Sequence, residues 1–214
     1  LERVGLGGQP EDAAHLPGSE ELLQSVDGFP ALVSDPWLNG RLTALHACSD
    51  LWACGARVSS AMATITLPMV PANEQQELLV QTLAGIRSVL DEQGAELIGG
   101  HTMESRSASP LPASLGVQIT LAVNGRSSQS PWLKSGLQPG DALLISRPLG
   151  TGVLFAGAMT GATKATDLDA ALKGMACSQH TLLEQLQPVR GDIHACTDIT
   201  GFGLLGHLGE MLQN

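Results

Sequence analysis

Four aspartates in this 214-residue chain occupy settings where a carboxylate needs a reason: Asp12, Asp27, Asp50 and Asp198. Asp12 sits in Pro10-Glu11-Asp12-Ala13-Ala14, Asp27 closes a short apolar run, and Asp198 stands between a short apolar run and a glycine-rich helix start. Asp50 is the most informative. It falls inside a helical pattern beside Leu51, Trp52 and Ala53, where an ionised carboxylate is costly unless it is paired or bound to a cation. His46, Asp50 and Cys54 recur at i, i+4 and i+8, on one helix face. One reading bonds Asp50 to His46 or to a backbone group; the other gives it a metal ion. Zinc is rejected, because Cys48 and Cys54 point roughly 120° apart on an ideal helix and cannot share one ion with His46. Hard carboxylate oxygens suit Mg²⁺, which usually recruits one or two carboxylates together with substrate phosphates. Dispersed aspartates of this kind would hold a metal and a nucleotide together.

Two glycine segments bear on phosphates. Gly99-Gly100-His101-Thr102 follows an apolar strand pattern and offers close backbone approach, N–H donors, an imidazole and a hydroxyl; a plain strand-to-loop turn is the alternative. Gly201-Phe202-Gly203-Leu204-Leu205-Gly206 matches GxGxxG, which by itself is weak evidence, and here the acidic residue, Asp198, precedes the glycines. The chain has no GxxxxGK[ST], which excludes a P-loop site.

The elements that must position these residues follow from periodicity. Leu22–Val26 reads as a short strand, and Asp35-Pro36 starts a helix that Gly55 ends near Cys54. Met62–Leu67 alternates as a strand. Asn73 and Gln76 form a capping-box signal before a helix with Leu79, Leu83, Ile86 and Leu90 on one face. Glu96–Ile98 and the alternating Val117, Ile119, Leu121 and Val123 read as further strands. The Ser-, Gly- and Pro-rich stretch from Asn124 to Gly140 reads as a linker or crossover. Beyond it Asp141–Ile145 reads as a strand, a helix follows Gly152, a longer helix covers roughly Asp167–Leu186, and Ile193–Cys196 is a short strand feeding a helix near Thr200. Strands alternating with helices place the chain in the α/β or α+β class. The expected domains are 1–125, a linker at 126–140, and 141–214.

Composition narrows the function classes. Charged residues make up 15%, against roughly 25% in an average globular protein, so a highly charged disordered chain is excluded. With three Phe, three Trp and no Tyr, the core must be built from Ala, Leu, Val and Ile. The net charge of −10 and the lack of basic clusters give no footprint for nucleic acid or an anionic membrane. No apolar run approaches a membrane span, and the expectation is a soluble cytoplasmic protein with reduced, mostly buried cysteines. Both ends look cut, since the chain opens without Met and stops directly after an uncapped apolar helical pattern.

Taken together, one longer segment and six shorter ones in chain order are specific. Thr197-Asp198-Ile199-Thr200-Gly201-Phe202-Gly203-Leu204-Leu205-Gly206-His207 resembles the signature of the selenophosphate synthetase (selenide, water dikinase) family. Glu11-Asp12-Ala13-Ala14, Val26-Asp27, Gly40-Arg41, Ser49–Gly55, Gly99–Thr102 and Arg147–Gly152 resemble that family's other motifs, and together they cover nearly the whole chain. The resemblance implies the fold shared with aminoimidazole ribonucleotide (AIR) synthetase: an N-terminal α/β domain, present nearly whole, whose strands form a barrel-like sheet across a homodimer, and a C-terminal α/β domain, here partial. It implies a reaction in which ATP, selenide and water give selenophosphate, AMP and phosphate. By the same resemblance Asp12, Asp50 and Asp198 match magnesium ligands, Asp27 and Asp50 match ATP-contacting positions, and Gln9, Pro10 and Glu11 match a nucleotide-contacting loop. Gly100, His101 and Thr102 match a segment that reaches the ATP of the dimer partner. The family's catalytic Cys or selenocysteine and its Lys belong upstream of residue 1, so no catalytic nucleophile is assigned. Asp27-Gly28-Phe29 replaces the usual Asp-Phe-Phe, and His46 stands where an Asn is often found, as in versions fused behind a pyridine-nucleotide oxidoreductase domain. The alternatives are a related ATP-using enzyme, such as a thiamine-phosphate kinase, and a catalytically silent dimerisation or nucleotide-binding module.

Overall fold

The computed structural model describes residues 11–19, 21–106 and 116–213. Gln9 and Pro10 lie outside the described residues. Five strands, β1 (Ala14–His15), β2 (Leu22–Phe29), β3 (Arg57–Leu67), β4 (Glu96–Glu104) and β5 (Gln118–Arg126), form one sheet in the order β1-β2-β5-β3-β4. β1, β2, β5 and β3 pair antiparallel, whereas β3 and β4 are parallel and joined through α2 (Ala72–Glu92). α1 (Pro36–Ala53) and α2 cover one face of that sheet.

Alternation along the strands decides which face is covered. Ile119, Leu121 and Val123 of β5 and Ala61, Ala63 and Ile65 of β3 point into the core, where they meet Ala44, Ala47, Cys48 and Leu51 of α1 and Ile86, Val89 and Leu90 of α2. Each fully buried Leu, Ile or Val stabilises the fold by ~1.5–3 kcal/mol relative to exposure. Val26, Met62 and Ile98 stand exposed on the opposite face.

α1 starts as expected, with Asp35 accepting the Leu38 N–H at 2.7 Å and Pro36 in the first turn. It ends at Gly55, whose φ of 70° is the left-handed conformation that halts a helix. Buried residues surround its axis, because α1 is enclosed by the sheet on one side and α2 on the other. The two helices touch through glycines: a Cβ at Gly40 would collide with the Thr82 carbonyl, and one at Gly85 with the Trp37 carbonyl. That approach seats α1 deeply enough to bring its last two turns against β2.

Several elements differ from the sequence reading. β2 and β3 are longer, since partners on both sides extend a strand past its apolar run. Asn73 does not cap α2; Pro71 occupies the cap position, Asn73 lies within the first turn, and no side chain caps that end. β4 continues through Gly99-Gly100-His101-Thr102, so the alternative of a strand-to-loop turn is excluded and the segment is edge strand paired with β3. Residues 141–145 and 193–196 form no strand; Leu143, Leu144 and Ile145 are exposed, and among the described residues no neighbouring strand pairs them. The expected helix over 167–186 is two, α4 (Ala165–Met175) and α5 (Leu182–Leu186), broken at Ser178 and His180 by local side-chain bonds. α5 runs into a 3₁₀ turn at Gln187–Asp192. α3 (Thr151–Met159) starts one residue before Gly152 and includes it, and α6 (Gly203–Met211) starts three residues beyond Thr200. The serine-rich stretch is strand to Arg126 and a docked segment afterwards: Trp132 is buried, donates its backbone N–H to the Cys54 carbonyl at 3.0 Å, and its ring lies under the Arg190 guanidinium at 4.7 Å.

Candidate metal and nucleotide site

Strand and helix periodicities meet at the core of the site. Ser25 and Asp27 lie two apart on β2 and so share a face, while His46 and Asp50 lie one turn apart on α1. Strand and helix run in opposite senses, and the two spacings match closely enough to form two bonds at once. Ser25 donates to Asp50 Oδ2 at 2.5 Å, and His46 Nε2 lies 2.8 Å from Asp27 Oδ2. The sequence reading that bonded Asp50 to His46 is thereby corrected: His46 serves Asp27. The Gly28 N–H also donates to Asp27 Oδ1 at 2.8 Å.

Two loops complete the arrangement. Asp12, just before β1, and Asp198, ahead of α6, join Asp50 so that one carboxylate oxygen from each lies within 4.8 Å of the others. The tethering follows one rule. Among the described residues, Asp50 accepts a hydrogen bond on Oδ2 from Ser25, Asp198 accepts one on Oδ2 from Ser49, and Asp12 accepts from Lys134 and Thr197 on Oδ1. Each carboxylate is thus held by one oxygen while the other remains for a ligand.

The electrostatics match that geometry. Burial, followed by the charges of Asp198, Asp27 and Asp12, pushes the Asp50 carboxyl up to about 7 despite the Ser25 hydrogen bond. Burial also raises Asp12, against the opposing pull of Lys134. For the pair, burial opposes ionisation of both groups, but the hydrogen bond and mutual charge win, lowering Asp27 and raising His46. Oxygen donors from three segments, held at one end and crowded together, suit a hard divalent cation. The thiols are poor candidates for chemistry, because burial pushes Cys54 up to about 12 and Cys196 up to about 11.

Two residues are given no role in the site by the sequence reading. Lys134 Nζ lies 2.6 Å from Asp12 Oδ1 and 3.5 Å from Glu210 Oε2, its side chain 14% exposed. Its only sequence signal is a single Lys after Trp132-Leu133 in a tract of small polar residues. His207, 4% exposed, accepts the Thr200 backbone N–H on Nε2 at 3.1 Å. A backbone N–H can only donate, so neutral His207 carries its proton on Nδ1, facing Glu210 Oε2 at 3.3 Å. Those two atoms form no well-aligned hydrogen bond, and the charge that faces Glu210 is the Lys134 ammonium 3.5 Å away.

Not every expected residue joins this cluster. Glu11 approaches it through the Lys134 backbone N–H, which donates to its carboxylate at 2.8 Å. Gly100 lies in one row with Asp27 across the sheet, through Leu121 and Ala63. Three strand spacings separate them, roughly 14 Å. His101 and Thr102 are exposed on the same edge strand, and a Cβ at Gly100 would collide with the Ala63 carbonyl.

A family model described as AIR synthase related protein, N-terminal domain, matches residues 10–123, and one described as AIR synthase related protein, C-terminal domain, matches residues 138–214. The chain is 33% identical to a selenide, water dikinase of Bdellovibrio bacteriovorus over 97% of its own length, and 36% identical to one of Desulfitobacterium hafniense over 94%. It spans only 57% and 56% of those proteins. Among solved structures, hydrogenase maturation protein HypE in complex with ATP gives a TM-score of 0.70 at 25% identity, covering 94% of this chain and 58% of that one. A thiamine monophosphate kinase from Aquifex aeolicus gives 0.66 at 17% identity, covering 87% of this chain and 61% of that one, a likeness of fold alone.

Proposed function

Since the chain belongs to the AIR synthase related family, we propose that it is the magnesium- and ATP-binding part of a selenide, water dikinase, which turns ATP, selenide and water into selenophosphate, AMP and phosphate. The observation that carries this reading is the convergence of Asp12, Asp50 and Asp198, each tethered by one oxygen. ATP is polyanionic, so a carboxylate site can hold it only through bridging cations. Magnesium bound there would neutralise charge developing on a transferring phosphoryl group.

The chain's own residues supply orientation. Ser25, Ser49 and Thr197 aim the carboxylates, and the Asp27–His46 pair presents a fixed polar edge beside Asp50 to the nucleotide. Gln9, Pro10 and Glu11 are proposed as a further nucleotide contact. Gly100, His101 and Thr102 are proposed to serve the ATP of a second copy, because the separation across the sheet keeps them from the carboxylates of their own chain. A homodimer joined through the uncovered sheet face belongs to the same proposal, and the exposed Val26, Met62 and Ile98 support it. So do two domains, 1–125 and 141–214, and a place in the cytoplasm. Among the described residues no helix is long and apolar enough to cross a membrane.

The test is calorimetric titration of ATP into the chain with and without Mg²⁺, using wild type and Asp50→Asn. Binding that requires Mg²⁺ and disappears in Asp50→Asn is the expected result; equal binding without the metal overturns the site. In the longer protein, ATP consumption that needs selenide and releases AMP is expected. Selenide-independent turnover would favour the thiamine-phosphate-kinase type of activity.

A further inference from the structure

We propose that Lys134 is a positioning residue for this site: its ammonium is a built-in counter-cation that holds Asp12 in the triad and fixes the charge left for a divalent ion. The inference rests on the reading of Asp12, Asp50 and Asp198 as a magnesium site, and deepens it.

Lys134 is placed by its backbone as well as by its charge. Its N–H donates to the Glu11 carboxylate at 2.8 Å, the preceding Leu133 carbonyl accepts the Cys196 N–H at 2.9 Å, and the Gly136 N–H donates to the Met211 carbonyl at 3.3 Å. The segment therefore joins the Asp12 loop, the stretch leading to Asp198, and the end of α6. The side chain then reaches Asp12 at 2.6 Å, with Glu210 behind it at 3.5 Å. Lysine suits this place for a geometric reason. An ammonium is a point charge and engages Asp12 through Oδ1, where Thr197 also donates, whereas a guanidinium would clasp both carboxylate oxygens. The three carboxylates and the ammonium by themselves leave two negative charges for one divalent cation, and Glu210, outside the triad, is the ammonium's second partner. Without Lys134, Asp12 loses its ion-pair partner and the three carboxylates repel one another more strongly until metal arrives.

Lys134→Gln and Lys134→Arg test this through thermal unfolding in EDTA and in saturating Mg²⁺, with Mn²⁺ affinity read by electron paramagnetic resonance. In EDTA, Lys134→Gln should melt several degrees below wild type, and Mg²⁺ should close most of that gap. Its Mn²⁺ affinity should rise about tenfold, because a fixed positive charge beside the ion is gone. Lys134→Arg should melt at or above wild type in EDTA and bind Mn²⁺ at least several-fold more weakly. If Lys134→Gln folds only when Mg²⁺ is present, the proposal is supported; if it fails to fold even then, the proposal is overturned. Wild-type melting and Mn²⁺ affinity in both variants would also overturn it. If the wild type binds neither ion, the magnesium reading fails as a separate matter. The EDTA melting of Lys134→Gln then still decides whether Lys134 holds the carboxylates together.

Discussion

His46 on α1 and Asp27 on β2 meet with Nε2 and Oδ2 2.8 Å apart, so the helix histidine is spent on the strand aspartate and leaves Asp50 to Ser25. The pair ties helix to sheet at the edge of the carboxylate cluster, and its energetics depend on pH in a definite direction.

His46 has a folded pKa above 6.5 and Asp27 one below 3.8. The histidine's contribution is fully present below 6.5 and is lost as pH rises through its folded value; the aspartate's is present above 3.8 and is lost as pH falls through its folded value. The pair therefore stabilises most between those limits. Asp27→Asn should cost ~1 kcal/mol within that window, the group being partly solvated, and less in alkaline solution. It should also lower the His46 pKa in an NMR titration. An unmoved His46 titration would show that the contact does not persist in solution.

Asp50 works in the opposite sense. Its carboxyl loses its proton near 3.8 when unfolded but near 7 when folded without metal, so the folded state holds the extra proton between those values. Stability of the metal-free protein should fall as pH rises from 3.8 toward 7 and level off above. Asp50→Asn should flatten that slope, leaving the metal-free variant ~1–3 kcal/mol more stable in mild alkali after allowance for partial solvation. The same variant should lose the stabilisation that Mg²⁺ confers on wild type. Denaturant unfolding across pH, with and without Mg²⁺, measures both effects.

Gly85→Ala should destabilise the protein by ~2–3 kcal/mol, because the new methyl has to displace the Trp37 carbonyl at the start of α1. α1 carries Asp50 at its other end, so Mg²⁺ affinity should fall as well. A variant of wild-type stability would mean that α1 and α2 separate more easily than their glycine contact implies.

His207→Ala removes the buried imidazole that accepts the half-buried Thr200 N–H, two residues beyond Asp198. A loss of ~1–3 kcal/mol is expected from the orphaned donor. Mg²⁺ affinity should weaken several-fold as the Asp198 loop loosens, and His207→Gln, whose amide oxygen can accept, should recover part of it. Isothermal titration of Mg²⁺ into the three proteins decides.

Much of the site was legible because its residues sit badly where they are. Asp50 in an apolar helix and Asp198 ahead of a glycine run are costly or unexplained as local structure, so their types alone pointed to a cation. Lys134 carries no such signal. A single lysine in a serine-rich tract reads as a solvated tether, and only the burial of Trp132 and the bond to the Leu133 carbonyl turn it inward. For His46 the sequence offers Asp50 as one possible partner and leaves its role open, because helical spacing relates the two and says nothing about a strand that arrives from another part of the chain.

The α/β class, the boundaries of α1, the alternating core of β5 and the residue types able to hold magnesium were determined by the sequence itself, since they rest on local periodicity, capping and the cost of a misplaced charge. Tertiary structure alone decided that Glu96–Glu104 is a single edge strand, that 141–145 and 193–196 are not strands, and that Lys134 belongs to the carboxylates. The physical reason is shared. A strand exists only if a partner accepts its hydrogen bonds, and an ion pair only if folding carries two distant segments to within a few ångströms; neither condition is encoded by neighbours along the chain.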